Sequence, residues 1–222
     1  MNKRLINIVL LGAPGCGKGT QAAFIKEKYD LEHVSTGALY REEMASGSAI
    51  GIEAKRHIDN GHLCPDEMTL DILSHHIQSH DEVKGFILDG VPRTIQQANM
   101  MEGKGYDHII PVDLVINLEI PEEIITERLE KRAKELNRTD DTPEVIRQRI
   151  IHYNNLTKPL VAYYEERNIL KNVNGAQTLE NVFKDILAEK EAEIASLKIK
   201  IDSEDKDRQI AITEVNLSKD KI

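Results

Sequence analysis

The chain has 222 residues, enough for one large α/β domain carrying small insertions. Its 40% hydrophobic and 30% charged residues exclude a disordered chain, and a net charge of −9 argues against broad affinity for nucleic acid or an anionic membrane. Any polyanionic ligand must therefore meet basic side chains gathered in one place.

In chain order, the first element is the apolar run Ile6–Leu11. Two basic residues precede it, as in a signal peptide, but Asn7 interrupts it and a Gly-rich turn ends it. With no small-residue cleavage site and too little length to span a bilayer, it reads as a buried strand. Helical spacing follows over Thr20–Tyr29 and Glu67–His80, then apolar strands at Gly85–Leu88 and Leu114–Leu118, with a helix over Pro121–Glu135. Thr142-Pro143-Glu144 predicts a helix start: a capping hydroxyl, Pro at the first helical position and an acid in the first turn. That helix should run to about Thr157, with a break or restart at Pro159. Apolar strands separated by helices imply α/β architecture, a parallel sheet covered on both faces. Ile194, Leu197 and Ile201 extend one apolar stripe into the charged segment 191–222, which otherwise reads as a solvated end.

Gly12-Ala13-Pro14-Gly15-Cys16-Gly17-Lys18 follows the first strand directly, and Thr20 opens a helix. Strand, glycine-rich loop and helix N-terminus together make a phosphate cradle of the P-loop NTPase type. Glycines let backbone N–H groups converge, the helix dipole adds positive potential, and Lys18 supplies a point charge. Gly19 stands where Ser or Thr normally follows the lysine, and this GKGT ending resembles nucleoside monophosphate kinases. Asp89, ending a buried strand, is a candidate to hold Mg²⁺ through water, or else it caps the turn at Gly90. Arg41, Arg93, Arg128, Arg132, Arg138 and Arg149 stand out in an acidic chain. Arg128 and Arg132 share a helix face, whereas Arg147 and Arg149, two apart, cannot both point into one site. Each arginine taken singly reads as a surface residue. Cys16 and Cys64 form no CxxC pair and suit a reducing, cytoplasmic compartment. Cys16, inside the cradle, is either an activated thiol or an inert filler. His75, His76 and His80 have no third ligand nearby and read as solvated helix residues.

Five separated motifs, GAPGCGKGTQ, STGALYR, GFILDGVPRT with Gln97, RLEKR and NRTDDTPEVIRQRIIHY, resemble the adenylate kinases in order and spacing from about residue 5 to 188. The resemblance implies Mg²⁺-dependent, reversible conversion of ATP and AMP to two ADP by a cytoplasmic monomer serving adenine nucleotide homeostasis, with no nucleic-acid or membrane partner. It implies a core of 1–34, 65–131 and 143–190, an AMP-binding insertion at 35–64 and a short lid at 132–142. That lid lacks the four cysteines of zinc-holding relatives, so no structural zinc is expected.

By the same resemblance ATP is bound by Gly12, Gly15, Cys16, Gly17, Lys18, Gly19, Thr20, Arg128 and Arg132. AMP is bound by Thr36, Gly37, Arg41, Cys64, Gly90, Arg93, Gln97, Arg138 and Arg149. Lys18, Asp89, Arg93, Arg128, Arg132, Arg138 and Arg149 would act on the transferring phosphoryl group, with Asp140 and Asp141 ordering the lid. Two departures carry expectations. Ala38 removes a family carboxylate that could meet a lid arginine, and Val91 replaces a Phe, leaving a smaller wall beside AMP and weaker AMP binding. A uridylate or cytidylate kinase, or a non-catalytic nucleotide-binding module, would share most of these features.

Overall fold

The computed structural model describes residues 5–80, 82–104, 110–135 and 142–188. Residues 136–141, within the expected lid 132–142, and the segment from 189 onward lie outside them. Five strands form one parallel sheet: β1 (Ile6–Gly12), β2 (Glu32–Ser35), β3 (Gly85–Asp89), β4 (Leu114–Glu119) and β5 (Leu170–Asn174), in the order β2-β3-β1-β4-β5. Val9 pairs with Leu88 on one side and Val115 on the other, which makes β1 the central strand. Helices cover both faces, so β1, β3 and β4 are apolar almost without interruption.

Alternation along β1 sends Val9 and Leu11 into a core shared with Leu70, Leu73, Ala98, Met101, Leu160 and Tyr164. Ile8 and Leu10 point to the opposite face. The helices include α1 (Lys18–Tyr29), α2 (Thr36–Ser46), α3 (Ala49–Ile58), α4 (Asp66–Gln78), α5 (Ile95–Met101), α6 (Glu122–Glu135), α7 (Pro143–His152) and α8 (Leu160–Glu165), and residues 179–188 are helical as well. A smaller cluster of Ala13, Ile125, Leu129, Ile146 and Ile150 ties α6 and α7 to the loop after β1. Another, of Tyr40, Ala54 and Cys64, holds α2, α3 and the segment before α4 together.

The predicted helix start at Thr142 is present, its hydroxyl accepting the Val145 N–H at 3.3 Å. The helix changes character before its predicted end: after His152 it loosens into a π-helical turn, Tyr153–Thr157, and restarts beyond Pro159 as α8. The chain divides after Val182 into two compact units, and the functional cleft lies within the first. Among the described residues no helix is long and apolar enough to cross a membrane.

Candidate active site

β1 has neighbours β3 and β4 reached by connections running in opposite directions, so a crevice opens beyond its carboxyl end. The loop Gly12–Gly17 occupies that crevice. Gly12 has φ 136°, and a Cβ there would lie 2.6 Å from Cys16 Sγ and 2.7 Å from the Leu118 carbonyl, so only glycine lets the loop fold back this tightly. Gly17, at φ 103°, precedes α1, whose first-turn N–H groups have no acceptor within the helix. Lys18 Nζ donates to the Gly12 carbonyl at 2.8 Å and the Ala13 carbonyl at 3.1 Å, which holds the ammonium across the loop. Arg128, on α6, donates to the Cys16 carbonyl at 3.3 Å and the Gly175 carbonyl at 3.2 Å, tying the loop to the turn after β5.

Asp89, at the end of β3, faces the start of α1: a Cβ on Gly19 would lie 3.6 Å from its Oδ2. His33 Nε2 stands 3.5 Å from the same oxygen. Burial alone would raise the Asp89 carboxyl. The His33 ring beside it and the charges of Lys18 and Arg93 outweigh that effect and leave the group below the usual carboxylate range. Gly90 then turns the chain at φ 87°, its carbonyl accepting from Thr36 Oγ1 at 3.0 Å and from Arg93 Nε at 2.9 Å. A Cβ on Gly90 would come within 2.8 Å of Thr36 Oγ1 and 2.9 Å of Arg93 Nη2.

Arg93 is fixed at its backbone as well. Its N–H donates to Gln97 Oε1 at 2.6 Å and its carbonyl accepts from Thr157 Oγ1 at 2.9 Å. Burial pushes the Arg93 guanidinium below its ordinary value, Asp89 opposes this, and Arg149 adds repulsion. An arginine so placed stays cationic.

The cleft encloses about 630 Å³. Gly12, Gly15, Gly17, Lys18, Gly19 and Thr20 form its loop side; Thr36, Gly37, Arg41 and Cys64 come from α2 and the segment before α4. Asp89, Gly90, Arg93 and Gln97 come from the β3–α5 turn and α5, while α6 supplies Arg128 and Arg132 and α7 supplies Arg149. A family model for adenylate kinase matches residues 10–169. The chain belongs to the adenylate kinase family. An adenylate kinase of Bacteroides fragilis is 44% identical over 186 residues, covering 82% of this chain and 96% of the relative. One from Stenotrophomonas maltophilia is 44% identical over 183 residues (82% and 98%), and one from Phocaeicola vulgatus 41% over 184 (83% and 97%). The family is one of phosphotransferases acting on nucleoside monophosphates, and the parallel P-loop sheet agrees with it.

Several residues singled out in the sequence stand elsewhere. Cys16 does not line the cleft; its thiol lies beneath the loop, 2% exposed, with Lys18 Nζ donating to its Sγ at 3.7 Å. Val91 is not among the residues lining the cleft either. Its side chain packs into the main core with 1% exposure, because the turn at Gly90 points it inward. Arg147 is exposed and Arg149 faces the cleft, as their spacing requires. Arg138, Asp140 and Asp141 lie outside the described residues.

The sequence reading passed over His33, Tyr40, Thr69, His152, Tyr153 and Thr157, all of which line the cleft. Tyr40 and Thr69 share a hydrogen bond at 2.9 Å, and burial raises the Tyr40 hydroxyl and the Cys64 thiol. His62 and His152 meet edge to face with ring centroids 5.2 Å apart, and burial followed by the His62 neighbour pushes His152 down. None of these carried a local signal. Proximity across the fold brings them in.

Proposed function

We propose that the cleft binds ATP with its phosphates over the loop Gly12–Thr20 and AMP against Thr36, Gly37, Arg41, Cys64, Gly90, Arg93 and Gln97, and that phosphoryl transfer takes place between them. The observation that carries this reading is the convergence of Lys18, Arg93, Arg128, Arg132 and Arg149 on one cleft in a chain of net charge −9. These cations come from four separate segments, and each would be costly to crowd together without polyanionic ligands to hold. In this reading residues 35–64 form the AMP-binding insertion, 132–142 the lid that brings Arg138 and its neighbours Asp140 and Asp141 over the phosphates, and the rest of 1–190 the core.

The attacking atom is an AMP phosphate oxygen, ionised at neutral pH, so no general base is required. Rate then comes from in-line positioning and from neutralising charge on the phosphoryl oxygens. Lys18 reaches the phosphates once its ammonium leaves the Gly12 and Ala13 carbonyls. Arg93, held at its N–H, its carbonyl and Nε, keeps the remaining guanidinium nitrogens for the AMP phosphate. Arg132 and Arg149 flank the transfer path, each supplying about 10³–10⁵ in rate if it acts as such arginines do in related phosphotransferases.

Asp89 suits Mg²⁺: a single ionised carboxylate beside the loop matches an ion that keeps most of its water and takes the rest of its ligands from phosphates. When bound with ATP, Mg²⁺ neutralises phosphate charge. Two free, buried thiols fit work in the reducing cytoplasm, and the family's short-lid form acts as a monomer.

A coupled assay for ADP with ATP, Mg²⁺ and AMP, UMP or CMP in turn tests the proposal. AMP is expected to be the preferred acceptor, with ATP hydrolysis negligible in its absence. Equal ATP cleavage with and without AMP would overturn it.

A further inference from the structure

Gln97 lines the cleft with both ends of its amide already engaged. Its Oε1 accepts the Arg93 N–H at 2.6 Å, and its Nε2 donates to Asp66 Oδ1 at 2.9 Å. A backbone N–H can only donate and an ionised carboxylate can only accept, so the partners dictate the orientation of the amide. Asp66 is itself held in place at the first turn of α4. Thr94 Oγ1 donates to its two carboxylate oxygens at 3.1 Å each, and the same hydroxyl accepts the Gln97 N–H at 3.0 Å as the cap of α5. After these bonds Gln97 retains one lone pair on Oε1 and one N–H on Nε2.

We infer that Asp66, which does not line the cleft, determines base specificity by locking the Gln97 amide into one orientation. The inference rests on the reading above, in which Gln97 faces the base of the monophosphate. Adenine offers an acceptor at N1 beside a donor at the 6-amino group, the complement of an amide presenting N–H and C=O. Hypoxanthine has the same size and ring system with the two roles exchanged, N1–H donating and O6 accepting. An unrestrained glutamine serves either base by turning its amide through half a revolution. Here that turn would set Oε1 against the Asp66 carboxylate and the NH₂ against the Arg93 N–H, two repulsive contacts in place of two bonds. Asp66 and the Arg93 N–H together therefore make a two-way reader one-way, and Asp66 does so with the stronger, charge-assisted bond. It is a positioning residue: it acts on the base only through Gln97.

The test compares kcat/KM for AMP with that for IMP, using ATP and Mg²⁺, in the full chain and in Gln97→Ala, Asp66→Ala and Asp66→Asn. IMP matches AMP in size, so a general loosening of the site would affect both substrates alike, and the AMP-to-IMP ratio isolates the donor–acceptor pattern. Asp66→Ala is expected to lower the ratio about tenfold or more, the order of one hydrogen bond to a charged group. Asp66→Asn, which keeps the shape and one acceptor, is expected to lower it by about threefold. If Gln97→Ala lowers the ratio while whichever Asp66 variant folds, confirmed by thermal melting, leaves it unchanged, the role of Asp66 is overturned and the reading of Gln97 stands. If Gln97→Ala itself leaves the ratio unchanged, Gln97 does not read the base and both statements fall.

Discussion

Thr157→Val removes one oxygen and almost no volume, which makes it a clean probe of how Arg93 is held. The Thr157 side chain, carried by the π-helical turn after α7, is buried, and its hydroxyl donates to the Arg93 carbonyl at 2.9 Å. Leaving this part-buried carbonyl without that donor costs about 1–3 kcal/mol. At about 2–4 °C per kcal/mol for a chain of this size, a loss near 2 kcal/mol lowers Tm by about 4–8 °C. The same bond fixes the peptide from which the Arg93 guanidinium reaches the cleft. Its loss should raise KM for AMP and lower kcat/KM by about tenfold, with KM for ATP unchanged. Thr157→Ser restores the donor and should recover both quantities. Melting curves and steady-state kinetics of the three proteins decide the matter. A Thr157→Val protein that melts within about 1 °C of the parent and turns over AMP with an unchanged KM would show that this hydroxyl does not position Arg93.

Three further outcomes follow from the same geometry. Gly51→Ala places a methyl group against the Glu43 carbonyl and 2.6 Å from the Met44 nitrogen, where α2 and α3 cross; backbone cannot yield as a side chain would, so a loss of about 3 kcal/mol is expected by chemical denaturation. Arg149→Ala should reduce kcat by about 10³-fold or more, whereas Arg147→Ala, exposed on the same helix, should stay within about twofold; equal losses would refute the assignment of faces. Burial works to raise Glu102, but hydrogen bonds from Lys104, Arg167 and Tyr163 hold its carboxyl down at about 2, against an ordinary 4.5. A group whose pKa is depressed on folding stabilises above its unfolded value, so the Tm advantage over Glu102→Gln should be full above pH 4.5 and shrink as pH falls toward 2. An advantage undiminished at about pH 3 would contradict that account.

The central strands, the phosphate loop and the capped start of α7 were legible because each is a local pattern: an uninterrupted apolar run, glycines before a lysine, Thr-Pro-Glu. The edge strands β2 and β5 were not. Their sequences, EHVS and LKNVN, mix polar with apolar residues, and only pairing with β3 and β4 makes them strands. The helices α2 and α3 are short and pack against each other, with Gly51 of α3 close to the Glu43 and Met44 backbone, a pairing that only the fold reveals.

Sequence by itself determined the chemistry on offer: a cradle for phosphate, a carboxylate beside it, arginines at helical spacing and a family resemblance that the comparisons bear out. Only the tertiary structure decided which way each side chain points. It turned the Cys16 thiol and Val91 away from the cleft, and it brought His33 to Asp89 from a separate strand. It also joined Asp66, Thr94, Gln97, Arg93 and Thr157 into one hydrogen-bonded chain drawn from three segments. The reason is physical. A motif fixes backbone shape over a few residues, whereas orientation and pairing depend on burial and on partners tens of positions away, which the sheet alone brings within hydrogen-bond reach.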